Sequence, residues 1–223
     1  MWLLLACTAP DPEGVDSAVD SVPRPRVDAT LQLHNAKNGK AKDGVALEGE
    51  LGTATTDDEG QGTVEVFGAS AFQIGATEDS LMPHLFHGRA GEDAFTLISY
   101  VATESLTDQV YELLGIARDP EMGIVVVGLD RPSLAPAVGS GAELNVDYEA
   151  AFVLGSQLPE EGTTLVQGGN SIVTFANVPV GQARVTAVPA EGEACLVFPA
   201  LVGVDHGVEV RANTVSVVVF TCE

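Results

Sequence analysis

The chain has 223 residues, enough for one large domain or two small ones. Its 45% apolar content supplies a sizeable core and argues against global disorder. A net charge of −22, from 32 acids against ten basic residues, repels phosphate backbones and disfavours nucleic-acid binding. Glycine (24) and proline (12) are plentiful and aromatics few, the composition of many short strands joined by turns. Such an acidic surface serves solubility, or offers a face to cations or basic partners.

Residues 1–7 are a short apolar stretch ending at a cysteine. Residues 8–27 are rich in proline and acids with little apolar periodicity, and read as a disordered linker. Leu4-Leu5-Ala6-Cys7 resembles the bacterial lipobox, in which a signal peptide is removed and the cysteine carries lipid. The departures are the missing basic n-region and an apolar run shorter than the usual signal core. The resemblance implies a lipoprotein, anchored to a membrane through Cys7 by acyl chains such as palmitate. It would stand at the cell envelope, at the outer membrane or cell surface. No stretch approaches the length of a transmembrane helix, so a membrane link would be a lipid.

A first domain spans residues 28–118. Ala29 to His34 alternates as a strand, and a loop follows that holds all three lysines, Lys37, Lys40 and Lys42. Further strands read at 44–48, 53–56, 62–67, 71–76 and 95–100. Asp57-Asp58-Glu59-Gly60 is a turn in which Asp57 accepts backbone N–H bonds and Gly60 takes positive φ. Ser105-Leu106-Thr107-Asp108 has the form of a helix N-terminus. Leu106, Val110, Leu113 and Leu114 then recur at helical spacing, and Gly115 ends the run.

A second domain spans residues 119–223. Gly123 to Gly128 reads as a buried strand, followed by strands at 143–148 and 151–154. Residues 170–188 read as a β-hairpin: Ile172, Thr174 and Ala176 share one face, Ser171, Val173 and Phe175 the other, and Asn177-Val178-Pro179-Val180-Gly181 forms the turn. Residues 64–74 form a comparable hairpin in the first half. The last strands are 194–198, 207–211 and 214–222. The fold class is therefore all-β: two tandem Greek-key β-sandwiches with one short helix between them.

Gly44-Val45, Thr55-Thr56-Asp57 with Gly60, Val64-Glu65-Val66 and Phe72-Gln73-Ile74 resemble the carboxypeptidase regulatory-like domain. So does Phe175-Ala176-Asn177-Val178-Pro179-Val180-Gly181 in the second half. The resemblance implies a transthyretin-like (prealbumin-like) topology in each half and an accessory role rather than a peptidase activity.

The three cysteines leave one without an intrachain partner. With Cys7 in the leader, a disulfide between Cys195 and Cys222 is the economical pairing in an exported protein. Two reduced core thiols are the alternative in a cytosolic one. His84-Leu85-Phe86-His87 sets two imidazoles three residues apart, but a zinc site needs three or four ligands, and no thiol or third histidine is near in sequence. His206-Gly207-Val208-Glu209 matches the spacing of a zinc-peptidase pair without its third ligand and reads as surface. Asp57-Asp58-Glu59 reads as a solvated turn rather than a calcium site. No Gly-x-Ser-x-Gly motif and no phosphate loop occurs. The expectation is a protein that is not an enzyme and has no cofactor, with a structural, adhesive or protein-interaction role. The alternative is a binding module for a glycan, a divalent cation or a basic envelope or extracellular protein.

Overall fold

The computed structural model describes residues 24–155 and 158–223. The first half contains β1 (Arg26–Asn35), β2 (Ala46–Gly49), β3 (Gly52–Thr55), β4 (Gln61–Phe67), β5 (Ala71–Thr77), β6 (His84–Arg89), β7 (Phe95–Val101) and helix α1 (Glu104–Leu114). The second contains β8 (Gly123–Asp130), β9 (Gly141–Leu144), β10 (Ala150–Leu154), β11 (Pro159–Glu161), β12 (Ile172–Val178), β13 (Gly181–Val188), β14 (Cys195–Val197), β15 (Asp205–Val210) and β16 (Val215–Cys222). The chain is all-β with a single helix among the described residues.

One sheet of ten strands runs through both halves. Its order is β11-β10-β12-β8-β16-β6-β5-β2-β3, with β14 also paired to β16. The last strand, β16, joins the halves, running parallel to both β6 and β8. Two three-stranded layers, β4-β1-β7 and β15-β13-β9, complete the architecture. They lie on opposite faces of the central sheet, and side-chain alternation shows this directly. Val215 and Val217 of β16 pack in a first core with Leu31, Leu33 and Phe86. Val218 and Phe220 of the same strand pack in a second core with Val185 and Val208. In β8, Ile124 and Val126 face the first core, whereas Val125, Val127 and Leu129 face the second. Strands buried on both faces need near-continuous apolar runs, and β8 and β16 have them. The helix covers the first-core face through Tyr111, with Val110 and Leu114 beside it.

The structure corrects the reading of residues 64–74 and 170–188 as hairpins. β4 pairs with β1, while β5 pairs with β2 and β6. β12 pairs with β10 and β8, while β13 lies in the other layer between β15 and β9. Both segments are therefore arches that cross from one sheet to another. The reason is that both edges of β12 are already occupied, so β13 has no edge to join. Asn177, at φ +50°, bulges the strand, and Pro179 lacks the N–H that would continue a ladder.

Smaller corrections follow the same logic. β1 begins at Arg26 with Val27 buried, so the last residues assigned to the linker belong to the sheet. The helix starts one turn's edge earlier than its sequence signal: Thr103 is the N-cap, its side chain accepting from Leu106 N–H at 3.1 Å, and not Ser105. Gly115 ends the helix in the left-handed conformation, as its position predicts. The strand expected over 143–148 stops at Leu144. In the acidic turn, Asp57 Oδ1 accepts from Glu59 and Gln61 N–H at 3.0 and 2.8 Å, and Gly60 has φ +76°.

Asn177 ties the halves together. Its Oδ1 accepts from Asp119 N–H at 3.0 Å, and its Nδ2 donates to Ala117 O at 2.7 Å and to Glu149. Its own N–H donates to the Tyr111 hydroxyl at 3.2 Å. One buried residue, through its side chain and its own N–H, thus holds the helix, the segment after it and β12 in register.

Candidate functional site

The two outer layers are offset across the central sheet. The β15-β13-β9 layer sits over the C-terminal half, and β15 is its outermost strand. Beyond β15 the same face of β6, β5 and β2 forms a step, and the step is a groove. One cleft of about 550 Å³ has Gln73, Gly75, Leu85 and His87 at its floor. Glu48, Glu50 and Arg211 stand at its rim, and His206, Gly207 and Glu209 of β15 form its wall. A second cleft of about 540 Å³ continues along β15 past His206, bordered by Arg89, Ala200, Val202 and Asp205.

The wall is an open strand edge. Ala187 N–H donates to Val204 O at 3.0 Å, and Asn145 N–H donates to Arg184 O at 3.1 Å. With Val185 opposite His206, that parity turns the backbone groups of His206 and Val208 toward β13. Those of Asp205, Gly207 and Glu209 point the other way, into the groove. Glu209 O is taken by the Ser216 hydroxyl at 2.6 Å. No strand among the described residues pairs with this edge.

The electrostatics of the groove are set by burial and by one ion pair. Arg211 donates twice to Glu209, at 2.9 Å for each bond. This pairing holds the Glu209 carboxyl below its ordinary range and raises Arg211. Burial pushes His87 down to about 4, assisted by the nearby His206 and opposed by Glu209. Burial also lowers His206, with Arg89 adding to the effect. Both rings are therefore neutral near pH 7. His87 is 6% exposed, and its Nε2 is buried with no hydrogen-bond partner among the described residues.

The histidines singled out in the sequence separate here. His84 faces the first core, its Nδ1–H donating to Met82 O at 2.7 Å and its Nε2 accepting from Ala102 N–H at 3.3 Å. It is a structural link between β6 and the segment after β7. His87, one strand position of opposite parity, faces the groove and meets His206 and Glu209. The His206–Glu209 pair, expected at the plain surface, is the groove wall. No group of three His, Cys, Asp or Glu side chains is placed to hold a metal ion among the described residues. Asp57 spends an oxygen on its own turn.

Cys195 and Cys222 form a disulfide, directly opposite each other on β14 and β16 with Cα atoms 4.0 Å apart. Both are buried in the second core. Cys7, the expected lipid anchor, lies outside the described residues. No helix among the described residues is long and apolar enough to cross a membrane.

Sequence reasoning missed β6 as a strand and with it the groove. The signal was the apolar Leu85-Phe86 between the two histidines, but polar residues on both faces of a buried strand mask its alternation.

The sequence matches no protein-family model and no curated protein. Among solved structures it is similar to the TIE protein of Bacillus anthracis, at 11% identity and a TM-score of 0.28. That match covers 89% of this chain but 34% of the other, so the chain spans about a third of that protein. It is also similar to GBS52, the minor pilin of Streptococcus agalactiae, at 11% identity and a TM-score of 0.30 over 86% of this chain and 93% of that one. For the shaft pilin SpaA of Lactobacillus rhamnosus GG the values are 10% identity and a TM-score of 0.26 over 90% and 98%. Likenesses of this size assign neither a fold family nor a role.

Proposed function

We propose that the chain is a non-catalytic protein of the cell envelope, lipid-anchored through Cys7, with a structural, adhesive or protein-interaction role. The observation that carries this reading is the Cys195–Cys222 disulfide buried in the terminal β-ladder. Structural disulfides form and persist in oxidising compartments and are rare in the cytosol of mesophiles. The resemblance of Leu4-Leu5-Ala6-Cys7 to a lipobox points to the same export route. The regulatory-like motifs imply an accessory module, and the two cores fused on one sheet make a stiff spacer rather than a flexible pair of beads.

The test is the intact mass of the protein extracted from its native membranes. A mass beginning at Cys7, increased by acyl chains and lacking two hydrogens, is expected. An unlipidated chain retaining Met1 with free thiols would overturn the location, and a cytosolic binding role would replace it. The acidic groove favours a second reading within the same class, a module that binds a basic protein.

A further inference from the structure

We infer that the groove along β15 is a docking site for an extended, basic strand of another protein, which adds to the open edge of β15. The inference deepens the interaction role proposed above and does not depend on the lipid anchor. Three observations carry it. The first is backbone: Gly207 presents its N–H and C=O, and Asp205 its own, to a lane with no neighbouring strand. Unpaired strand edges are templates for another chain, and main-chain bonds to such an edge give affinity without a deep pocket. The second is shape. The two clefts follow one another along β15 and share His206, and the edge is open at Asp205 and Gly207 up to Glu209, whose carbonyl is taken by Ser216. Asp205 to Glu209 spans roughly 13 Å, room for four or five extended residues of a partner. A strand laid there would extend the β9-β13-β15 layer over the uncovered face of β6 and β5.

The third observation is chemical. Glu48, Glu50, Glu209 and Asp205 border the lane. Arg211 is committed to Glu209 and Arg184 to Asp205 at 3.1 Å, and Arg89 stands at the far end, so the bordering acids without an ion pair among the described residues are Glu48 and Glu50. The uncompensated charge is negative, and the chain as a whole carries −22. At the floor, His87 is a buried, neutral ring beside the Glu209 backbone, and with its proton directed there its unpartnered Nε2 is an acceptor. An inward-facing lysine or arginine supplies both a positive charge for Glu48 and Glu50 and N–H donors. This chain is a poor source of such a strand. Its three lysines all lie between 37 and 42, in a turn-rich connection, and residues 1–23 contain no Lys or Arg.

The test uses the full chain and a fluorescein-labelled peptide of sequence Thr-Val-Lys-Val-Lys-Val-Thr, capped at both ends. Its controls are the same peptide with Glu for Lys, and with alternate backbone nitrogens methylated. Fluorescence anisotropy at low salt should show saturable binding of the Lys peptide alone. Gly207→Pro removes an outward N–H and is tolerated on an edge strand; it should weaken binding at least tenfold. Gly207→Ala should leave it unchanged, since a Cβ there meets nothing within 4 Å. Glu48→Lys with Glu50→Lys should also weaken it at least tenfold, and keeps the test independent of the proline variant's folding. No saturable binding, a preference for the Glu peptide, or binding by both variants as tight as the parent's would each overturn the proposal. A dimer in sedimentation velocity that Gly207→Pro abolishes would overturn the basic partner and assign the lane to a second copy. None of these outcomes bears on the mass measurement that tests the envelope location.

Discussion

Replacing both bridged cysteines by alanine should cost the fold more than any other conservative change near the C-terminus. The bridge joins residues 27 apart in sequence. Closing a loop of that length removes unfolded-state freedom worth about 3.5 kcal/mol at room temperature in the chain-entropy account. Both sulfurs are also buried, at 1% and 0% residue exposure, so their deletion leaves a small void that adds about 1 kcal/mol. For a body of this size, each kcal/mol moves the melting temperature by about 2–4 °C, so a fall of roughly 9–18 °C is expected. The assay is urea unfolding and calorimetry of the oxidised protein and of Cys195→Ala/Cys222→Ala at one pH. The freed chain should also show a larger denaturant slope, because an uncrosslinked unfolded state exposes more surface. A double variant within about 1 kcal/mol of the parent, with the same slope, would refute the argument. It would mean that the β14–β16 ladder restrains the terminal strand equally well without the bridge.

Three further outcomes follow from buried polar groups and from one turn. His84 and His87 are both held down to about 4 by burial, from an unfolded value of 6.5. The unfolded chain therefore takes up protons that the native state refuses, so this stability is complete above about pH 6.5 and is lost as pH falls toward 4, at up to about 3 kcal/mol for each ring. Urea titrations at pH 7.5 and 5.0 should show that loss, and His84→Asn should reduce the pH slope; an unchanged slope would show that the ring is hydrated. Asn177→Ala should cost about 3–4 kcal/mol, from left-handed strain and from orphaned partners at Ala117, Asp119 and Glu149. Asn177→Gly should recover about 1 kcal/mol of that, the strain alone, and equal losses for the two variants would remove backbone strain from the account. Gly60→Ala should destabilise strongly, because its Cβ would lie 2.4 Å from Leu33 O at φ +76°. Gly44→Ala, at φ +73° with nothing within 4 Å, should cost only about 1 kcal/mol, and chemical denaturation of the pair separates clash from strain.

Much of the fold was legible because local patterns in this chain are honest. Alternation in Ala29 to His34 and Gly62 to Phe67 names strands that have one core face and one open face. The Asp57 turn and the Gly115 cap were readable because only certain residues satisfy their backbone geometry. The groove was not readable. His87 and the His206–Glu209 pair are more than a hundred residues apart, and each is uninformative alone. His84, the stronger-looking partner of His87, points to the opposite face, since three residues along a strand reverse its side. Gly207 gave no signal either: a glycine in a strand pattern does not say which of its edges is open.

What the sequence by itself determined is most of the strand vocabulary, the one helix, the acidic character and the two cysteines available for a C-terminal bridge. These depend on side-chain period, turn chemistry and charge count, all of them local or additive. What only the tertiary structure decided is which strands are neighbours. The sequence pattern is the same for a hairpin and for an arch, because period-two alternation specifies faces and not partners. The choice was made by occupancy. β8 and β10 hold both edges of β12, and β6 and β2 hold both edges of β5, so the strands adjoining them cross to the opposite layer. The same competition for edges draws β16 into the middle of the sheet, puts two cores on its two faces, and leaves β15 with an edge that no strand of the described chain pairs with.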